Sequence, residues 1–161
     1  MSTYVTPSLP ELKLVPSPRL AVVVSRFNTT ITEGLCNGAL EWLGEHGITV
    51  AAQDIFSAPG AFEMPLLAQT LARTGKYEGV ICLGCVIKGD TAHFEFISLG
   101  ATIGMMQASL ETEVPVAFGV LTTYTEDQAT QRALPDVHNK GREAAAACVE
   151  SLALLRRIKE D

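Results

Sequence analysis

Short β-branched runs alternate with helical stripes along this chain, and that alternation limits the possible folds more than any other feature of the sequence. Residues 19–25, RLAVVVS, form a continuous apolar run of strand length. A run with no polar face predicts a strand buried on both sides. Residues 30–46 then place Ile31, Leu35, Ala39 and Leu43 on one helical stripe, and Gly47 is positioned to stop that helix. ITVAAQDIF (48–56) predicts a second strand, and residues 62–74 a helix with Pro65 near its first turn, where a missing N–H costs little. GVICLGCV (79–86) predicts a third strand and 91–111 a long helix rich in small residues. VPVAFGVLT (114–122) predicts a fourth strand, 125–133 a short helix, and 139–159 a last helix whose Arg156 and Arg157 suit the negative end of its dipole. Strands alternating with helices imply a parallel sheet covered on both faces. In such sheets ligands bind beyond the carboxyl ends of the strands, so the turns there are where chemistry is expected.

The chain has 161 residues, 47% hydrophobic and 19% charged, which suits one domain with a sizeable core. Residues 1–18 carry several prolines and little periodicity; they predict an extended arm, with the α/β domain over 19–161. A net charge of -6 without a basic stripe argues against nucleic acid and against an anionic membrane surface. No apolar run reaches the roughly 18 residues that a spanning helix needs. The start lacks the basic end and apolar block of a secretory signal, so a cytoplasmic location is expected.

Cys82 and Cys85 form a C-x-x-C in CLGC. Redox pairs of this spacing sit at a helix N-terminus, whereas this pair lies within a strand run, where residues three apart point to opposite faces. With no second pair to complete a zinc site, both are expected to be small core residues, and no metal is expected.

After the first strand, SRFN puts Phe27 in a polar turn, where it either caps the core or offers a flat platform to a heterocycle. After the second, SAPGAFEMP makes a tight Pro59–Gly60 turn. The free N–H groups of the following helix suit an oxygen-rich ligand. Glu63 beside them either complements the dipole or, as an acceptor among donors, suits a polyol.

After the third strand, LGCVIKGDTAHFEFI has the glycine spacing of a nucleotide-binding loop, but Asp90 stands where the lysine belongs. A triphosphate is therefore disfavoured, while the N–H groups of Asp90 and Thr91 suit a monophosphate. Asp90 or Thr91 is placed to cap the next helix, and His93 lies in its first turn, where an imidazole can carry protons. His46 and His138 read as structural. Arg132, Lys140 and Glu143 gather near the C-terminal helix, with Arg132 a natural bidentate partner for phosphate.

SRFN, PGAFEMP, GCVIKGDTAHFEF, FGVLTT and QRA…NKGREAA occur in this order. Together they resemble the lumazine synthase family, over about residues 19–155. The resemblance implies a flavodoxin-like three-layer α/β/α sandwich with a four-stranded parallel sheet. It implies a cofactor-free condensation of 5-amino-6-(D-ribitylamino)uracil with (3S)-3,4-dihydroxy-2-butanone 4-phosphate, giving 6,7-dimethyl-8-ribityllumazine, the penultimate step of riboflavin biosynthesis. It further implies that Phe27 stacks on the pyrimidine, that Ala61, Phe62 and Glu63 hold the ribityl chain, and that Cys85, Val86 and Ile87 contact the pyrimidine edge. By the same resemblance Asp90 and Thr91 bind the phosphate with Arg132, and His93 carries protons. Phe118 and Arg132 are offered by a neighbouring subunit, with Lys140 and Glu143 at the same mouth. The implied assembly is a homopentamer, which in part of the family builds an icosahedral shell of twelve pentamers, and riboflavin synthase is an implied partner.

Several positions depart from the commoner family pattern. Ala61 is often Ser, Lys88 often Arg, and Tyr124 stands where Asp or Asn is usual. The segment ALPDVHNKG lacks glycines frequent there, although its unaltered length fits the shell class. A non-catalytic riboflavin- or lumazine-binding member of the family would have no use for His93, Arg132 and Glu63 together. An unrelated flavin mononucleotide carrier would need a phosphate loop after the first strand, where Phe27 intrudes.

Overall fold

The computed structural model describes residues 14–160. Of the arm expected over 1–18, residues 1–13 lie outside the described residues. Leu14 packs against the core, and the Pro16 carbonyl accepts a 2.8 Å hydrogen bond from Arg156.

Four strands, β1 (Leu20–Ser25), β2 (Ile55–Ala58), β3 (Gly79–Ile87) and β4 (Val116–Thr123), form one sheet in the order β2-β1-β3-β4. Every pairing is parallel. Five α-helices connect and cover them: α1 (Thr29–Glu45), α2 (Met64–Arg73), α3 (His93–Thr112), α4 (Glu126–Arg132) and α5 (Lys140–Glu160). The result is the expected flavodoxin-like α/β/α sandwich.

Residues of β3 alternate between the two layers, as a strand's period of two requires. Ile81, Leu83 and Cys85 pack with Leu35 and Leu43 of α1 and Ala145 and Val149 of α5. Val80 and Cys82 pack with Met64 and Ala68 of α2 and Ala101 and Met105 of α3. Cys82 and Cys85 therefore face opposite layers, both buried. Burial pushes the Cys82 thiol up to about 12 with help from Cys148, and burial plus Glu126 pushes Cys85 up to about 11. Both stay protonated near neutrality and act as small apolar residues.

The α1 stripe is buried as predicted. Leu35 and Leu43, fully removed from solvent, each contribute about 2 kcal/mol of transfer free energy. α1 and α5 touch backbone to backbone: a Cβ at Gly141 would overlap the Leu35 carbonyl.

The second strand differs from expectation. Residues 48–54 do not pair; β2 begins at Ile55 and runs beside Val22–Ser25. Ile48 is buried under the end of α1, and Ala52–Asp54 make a short 3-10 turn. The cause is Asp54, whose carboxylate is captured by Arg19 at 2.7 and 3.0 Å and by the Tyr77 hydroxyl at 2.8 Å. That turns the backbone away from the ladder.

The long helix also carries a feature that its composition hid. Phe96, Leu99, Ile103, Met106 and Leu110, spaced three or four apart, are all exposed on α3. No helix among the described residues is long and apolar enough to cross a membrane.

Candidate active site

The turn after β1 is rigid for reasons visible in its sequence. The Arg26 N–H donates to the Ala58 carbonyl at 3.0 Å, the Thr32 hydroxyl to the Ser25 carbonyl at 2.9 Å, and the Phe27 N–H to the Ser25 hydroxyl at 3.3 Å. These bonds fix the turn while Phe27 itself is 68% exposed, so it is not a core cap. Its ring lies over Gly60, where an added Cβ would come within 3.2 Å of a ring carbon. A glycine here lets the ring lie close to the turn after β2.

Asn28 adopts a left-handed conformation, φ 56 and ψ 54, which asparagine tolerates better than most residues. Its side-chain amide donates to the Cys85 carbonyl at 3.0 Å. The β1 turn and the end of β3 are thereby tied across the mouth.

After β2, Ala61–Glu63 form a 3-10 turn that leads into α2. The α-helix thus starts at Met64, two residues later than the predicted 62–74. Ala61 is buried; Phe62 and Glu63 are exposed. Phe62 leans on Gly100 of α3, where a Cβ would meet the ring at 3.1 Å.

After β3, residues 88–92 form an exposed turn. Neither Asp90 nor Thr91 caps α3 through its side chain: Ala92 is the cap residue and has no side-chain bond. The Thr91 hydroxyl instead accepts the His93 N–H at 3.3 Å. His46 is structural as predicted, its ring stacked on Trp42 at 4.0 Å with Nδ1 at 2.6 Å from the Trp42 carbonyl.

Phe27, Ala61, Phe62, Glu63, Cys85, Val86, Ile87 and His93 line one cavity of about 340 Å³ beyond the carboxyl ends of β1, β2 and β3. Asn28, Gly60 and Ile97 complete its wall. These three were missed in the sequence, although Asn28 directly before a helix, after Phe27, was a signal for a left-handed residue at the mouth. Asp90 and Thr91 lie on the adjoining turn, outside the lining. The cavity offers a flat aromatic surface, a carboxylate beside the N–H groups of a first helical turn, strand-end backbone, and an imidazole.

Phe118, Arg132, Lys140 and Glu143 are elsewhere. They line a second cavity of about 620 Å³ between β4 and α5 that shares no residue with the first. There the Lys140 ammonium meets both Glu143 carboxylate oxygens at 2.7 Å. Arg132 donates to the Gln128 carbonyl at 2.9 Å; a guanidinium has five donors, so others remain for an anion. Among the described residues, no group of three or more His, Cys, Asp or Glu side chains is arranged to hold a metal ion.

Comparison with known proteins finds similarity over nearly the whole described domain. The family profile described as 6,7-dimethyl-8-ribityllumazine synthase matches residues 17–156. The Caulobacter vibrioides protein named 6,7-dimethyl-8-ribityllumazine synthase 1 is 64% identical over 144 residues, 89% of this chain and 94% of that protein. The 6,7-dimethyl-8-ribityllumazine synthase of Salinibacter ruber is 49% identical over 146 residues, 91% of this chain and 94% of that protein.

Proposed function

The chain belongs to the 6,7-dimethyl-8-ribityllumazine synthase family, and we propose on that premise that the cavity at the ends of β1–β3 is where the lumazine is made. The protein is a transferase of riboflavin biosynthesis. It condenses 5-amino-6-(D-ribitylamino)uracil with (3S)-3,4-dihydroxy-2-butanone 4-phosphate. The amine and the ketone form an imine and release water; the carbon beside the imine, which bears the hydroxyl, loses its proton as phosphate leaves the next carbon; the enol so formed becomes a ketone, and the ribitylamino nitrogen closes the ring on it with loss of a second water.

One observation carries this reading: Phe27, Glu63 and His93, from three separate turns, share one cavity. A flat ring, a polyol and mobile protons are what these substrates bring to a site. In the proposed pose the pyrimidine stacks on Phe27, with its edge on the backbone of Cys85, Val86 and Ile87. The ribityl chain runs along Ala61 and Phe62 to the Glu63 carboxylate. His93 accepts the proton lost during phosphate elimination and returns protons to the departing oxygens. Holding both substrates together supplies a further share of the rate.

The phosphate is proposed to lie on the N–H groups of Asp90 and Thr91, with Arg132 as its cation. Within one chain Arg132 and Phe118 line a different cavity from His93. The proposal is that a neighbouring subunit supplies them, with Lys140 at the same mouth. Support comes from the edge of β4 and the apolar face of α3, which no other element among the described residues pairs with or covers. A head-to-tail contact of this kind gives a ring when its rotation closes, and the homopentamer, alone or in an icosahedral shell, is the proposed form. Riboflavin synthase is the proposed partner, and the cytoplasm the proposed compartment.

The test is direct. Purified protein mixed with both substrates is expected to produce fluorescent lumazine above the uncatalysed background, and a non-reactive ribityl analogue is expected to stop it. Product at the background rate alone would overturn the reading.

A further inference from the structure

The turn between β3 and α3 carries the backbone proposed to hold phosphate and leads directly into His93, yet little of it is tied to the body of the protein. Asp90, Thr91, Ala92 and His93 are all exposed. A Cβ at Gly89 would meet nothing within 4 Å, and α3 begins without a side-chain cap. A loop that must hold a phosphate and a proton carrier in register needs a brace.

Tyr124 has the geometry of that brace. β3 and β4 pair to their last residues, Ile87 opposite Thr123, and the Lys88 N–H donates to the Thr123 carbonyl at 2.9 Å. Lys88 and Tyr124 thus leave the sheet side by side. The Lys88 ammonium lies 5.5 Å from the centre of the Tyr124 ring, within cation–π range. The same ring meets Phe94 at 6.0 Å between centres, tilted by 41°. Tyr124 therefore touches the residue that opens the turn and the residue just past His93. A Lys88–Glu95 contact at 3.4 Å closes the same bracket.

Tyr124 is itself held. Its N–H donates to the Gln128 side chain at 3.0 Å, the Thr123 hydroxyl donates to the Thr125 carbonyl at 3.0 Å, and Thr125 caps α4 through Gln128. The start of α4 fixes the backbone of Tyr124, and its ring fixes the turn.

We propose that Tyr124 is a positioning residue: through Lys88 and Phe94 its ring sets the Gly89–His93 turn over the cavity without touching substrate. This rests on the synthase reading above. It separates Tyr124 from a merely structural residue, because a 67% exposed ring contributes little to the core.

The experiment compares the full-length wild type with Tyr124→Ala and Tyr124→Phe. Steady-state kinetics in each substrate are measured alongside hydrogen exchange of the 88–94 amides. Wild-type turnover comes first, since its absence would sink the synthase reading itself. With the wild type active, Tyr124→Ala is expected to lose roughly three- to thirtyfold in kcat/KM for the butanone phosphate, the equivalent of one cation–π and one aromatic contact. The pyrimidine KM is expected to hold, and exchange of the 88–94 amides to quicken. Tyr124→Phe keeps the ring and is expected to restore both properties. Kinetics within twofold of wild type in Tyr124→Ala would overturn the proposal, as would an equal rise in both KM values or failure of Tyr124→Phe to rescue.

Discussion

The Asp54 carboxylate is gripped from both sides by Arg19, whose Nε and Nη2 lie 3.0 and 2.7 Å from its two oxygens. Tyr77 completes the group, donating to Asp54 at 2.8 Å while Arg19 lies 5.1 Å from the centre of its ring. The three residues precede β2, β1 and β3 respectively, so they join the strands at their amino ends. The cavity lies at the carboxyl ends. The ion-pair cluster and the candidate cavity thus lie at opposite ends of the same strands.

Replacing Asp54 with Ala is therefore expected to lower Tm while leaving kcat and both KM values unchanged. Arg19 first, then Tyr77, hold the Asp54 carboxyl below its ordinary value of 3.8. A depressed carboxylate contributes stability that is present above the ordinary value and lost as pH falls through the folded one. The Tm gap between wild type and Asp54→Ala should stay constant from neutrality down to the ordinary carboxylate range and shrink only below it. A gap that shrinks between pH 7 and pH 5 would contradict the assignment.

His93→Ala is expected to slow turnover roughly five- to a hundredfold, with the far-UV circular dichroism and the size of the assembly unchanged. The range sits at and below the usual worth of a general acid–base group because part of the rate comes from holding two substrates together. Unchanged turnover would make His93 structural.

Arg132→Ala is expected to raise KM for the butanone phosphate by about ten- to a hundredfold, the loss of a charge-assisted pair, with little change for the pyrimidine. Equal changes in both would remove Arg132 as the phosphate cation. In a mixture with His93→Ala, part of the activity should return, because hybrid rings create some sites with both residues intact. Absence of any recovery would argue against a site shared between subunits.

Asn139 is buried at the start of α5. Its amide donates to the Gly34 carbonyl at 3.1 Å and the Leu134 carbonyl at 2.9 Å, and its oxygen accepts the Gly141 N–H at 2.8 Å. It caps a helix and pins the 133–139 segment onto α1. Asn139→Ala should cost about 1–2 kcal/mol, the loss of a helix cap and of the amide's two bonds to carbonyls that keep other partners, read as a lower urea midpoint. A loss under about 0.5 kcal/mol would show that water replaces these bonds.

Much of this was legible in the chain itself. The four apolar runs specified a parallel sheet because a strand with two apolar faces must be covered on both. The helical stripe at Ile31, Leu35, Ala39 and Leu43 specified the face that α1 buries. The same strand ends singled out Phe27, Glu63 and His93, since motif spacing and turn residues are properties of short stretches of chain. The sequence also marked Tyr124 as a departure from family habit without saying what it touches.

Other features depend on residues far apart. ITVAAQDIF reads as a strand, yet Asp54 is drawn to Arg19, 35 residues away, and the ladder starts only at Ile55. No periodicity reports such a pairing. Asn28 reaches Cys85 across 57 residues, and Lys88 meets Tyr124 only because β3 and β4 end in register. The sequence likewise put Arg132 and His93 on one list of residues; the tertiary structure put them in two cavities, because β4 and α5 build one wall and the turns of β1, β2 and β3 build the other. Local patterns determined which elements form and which side chains stand at their ends. Only packing decided which of those ends meet, since contact between distant residues depends on strand order and register.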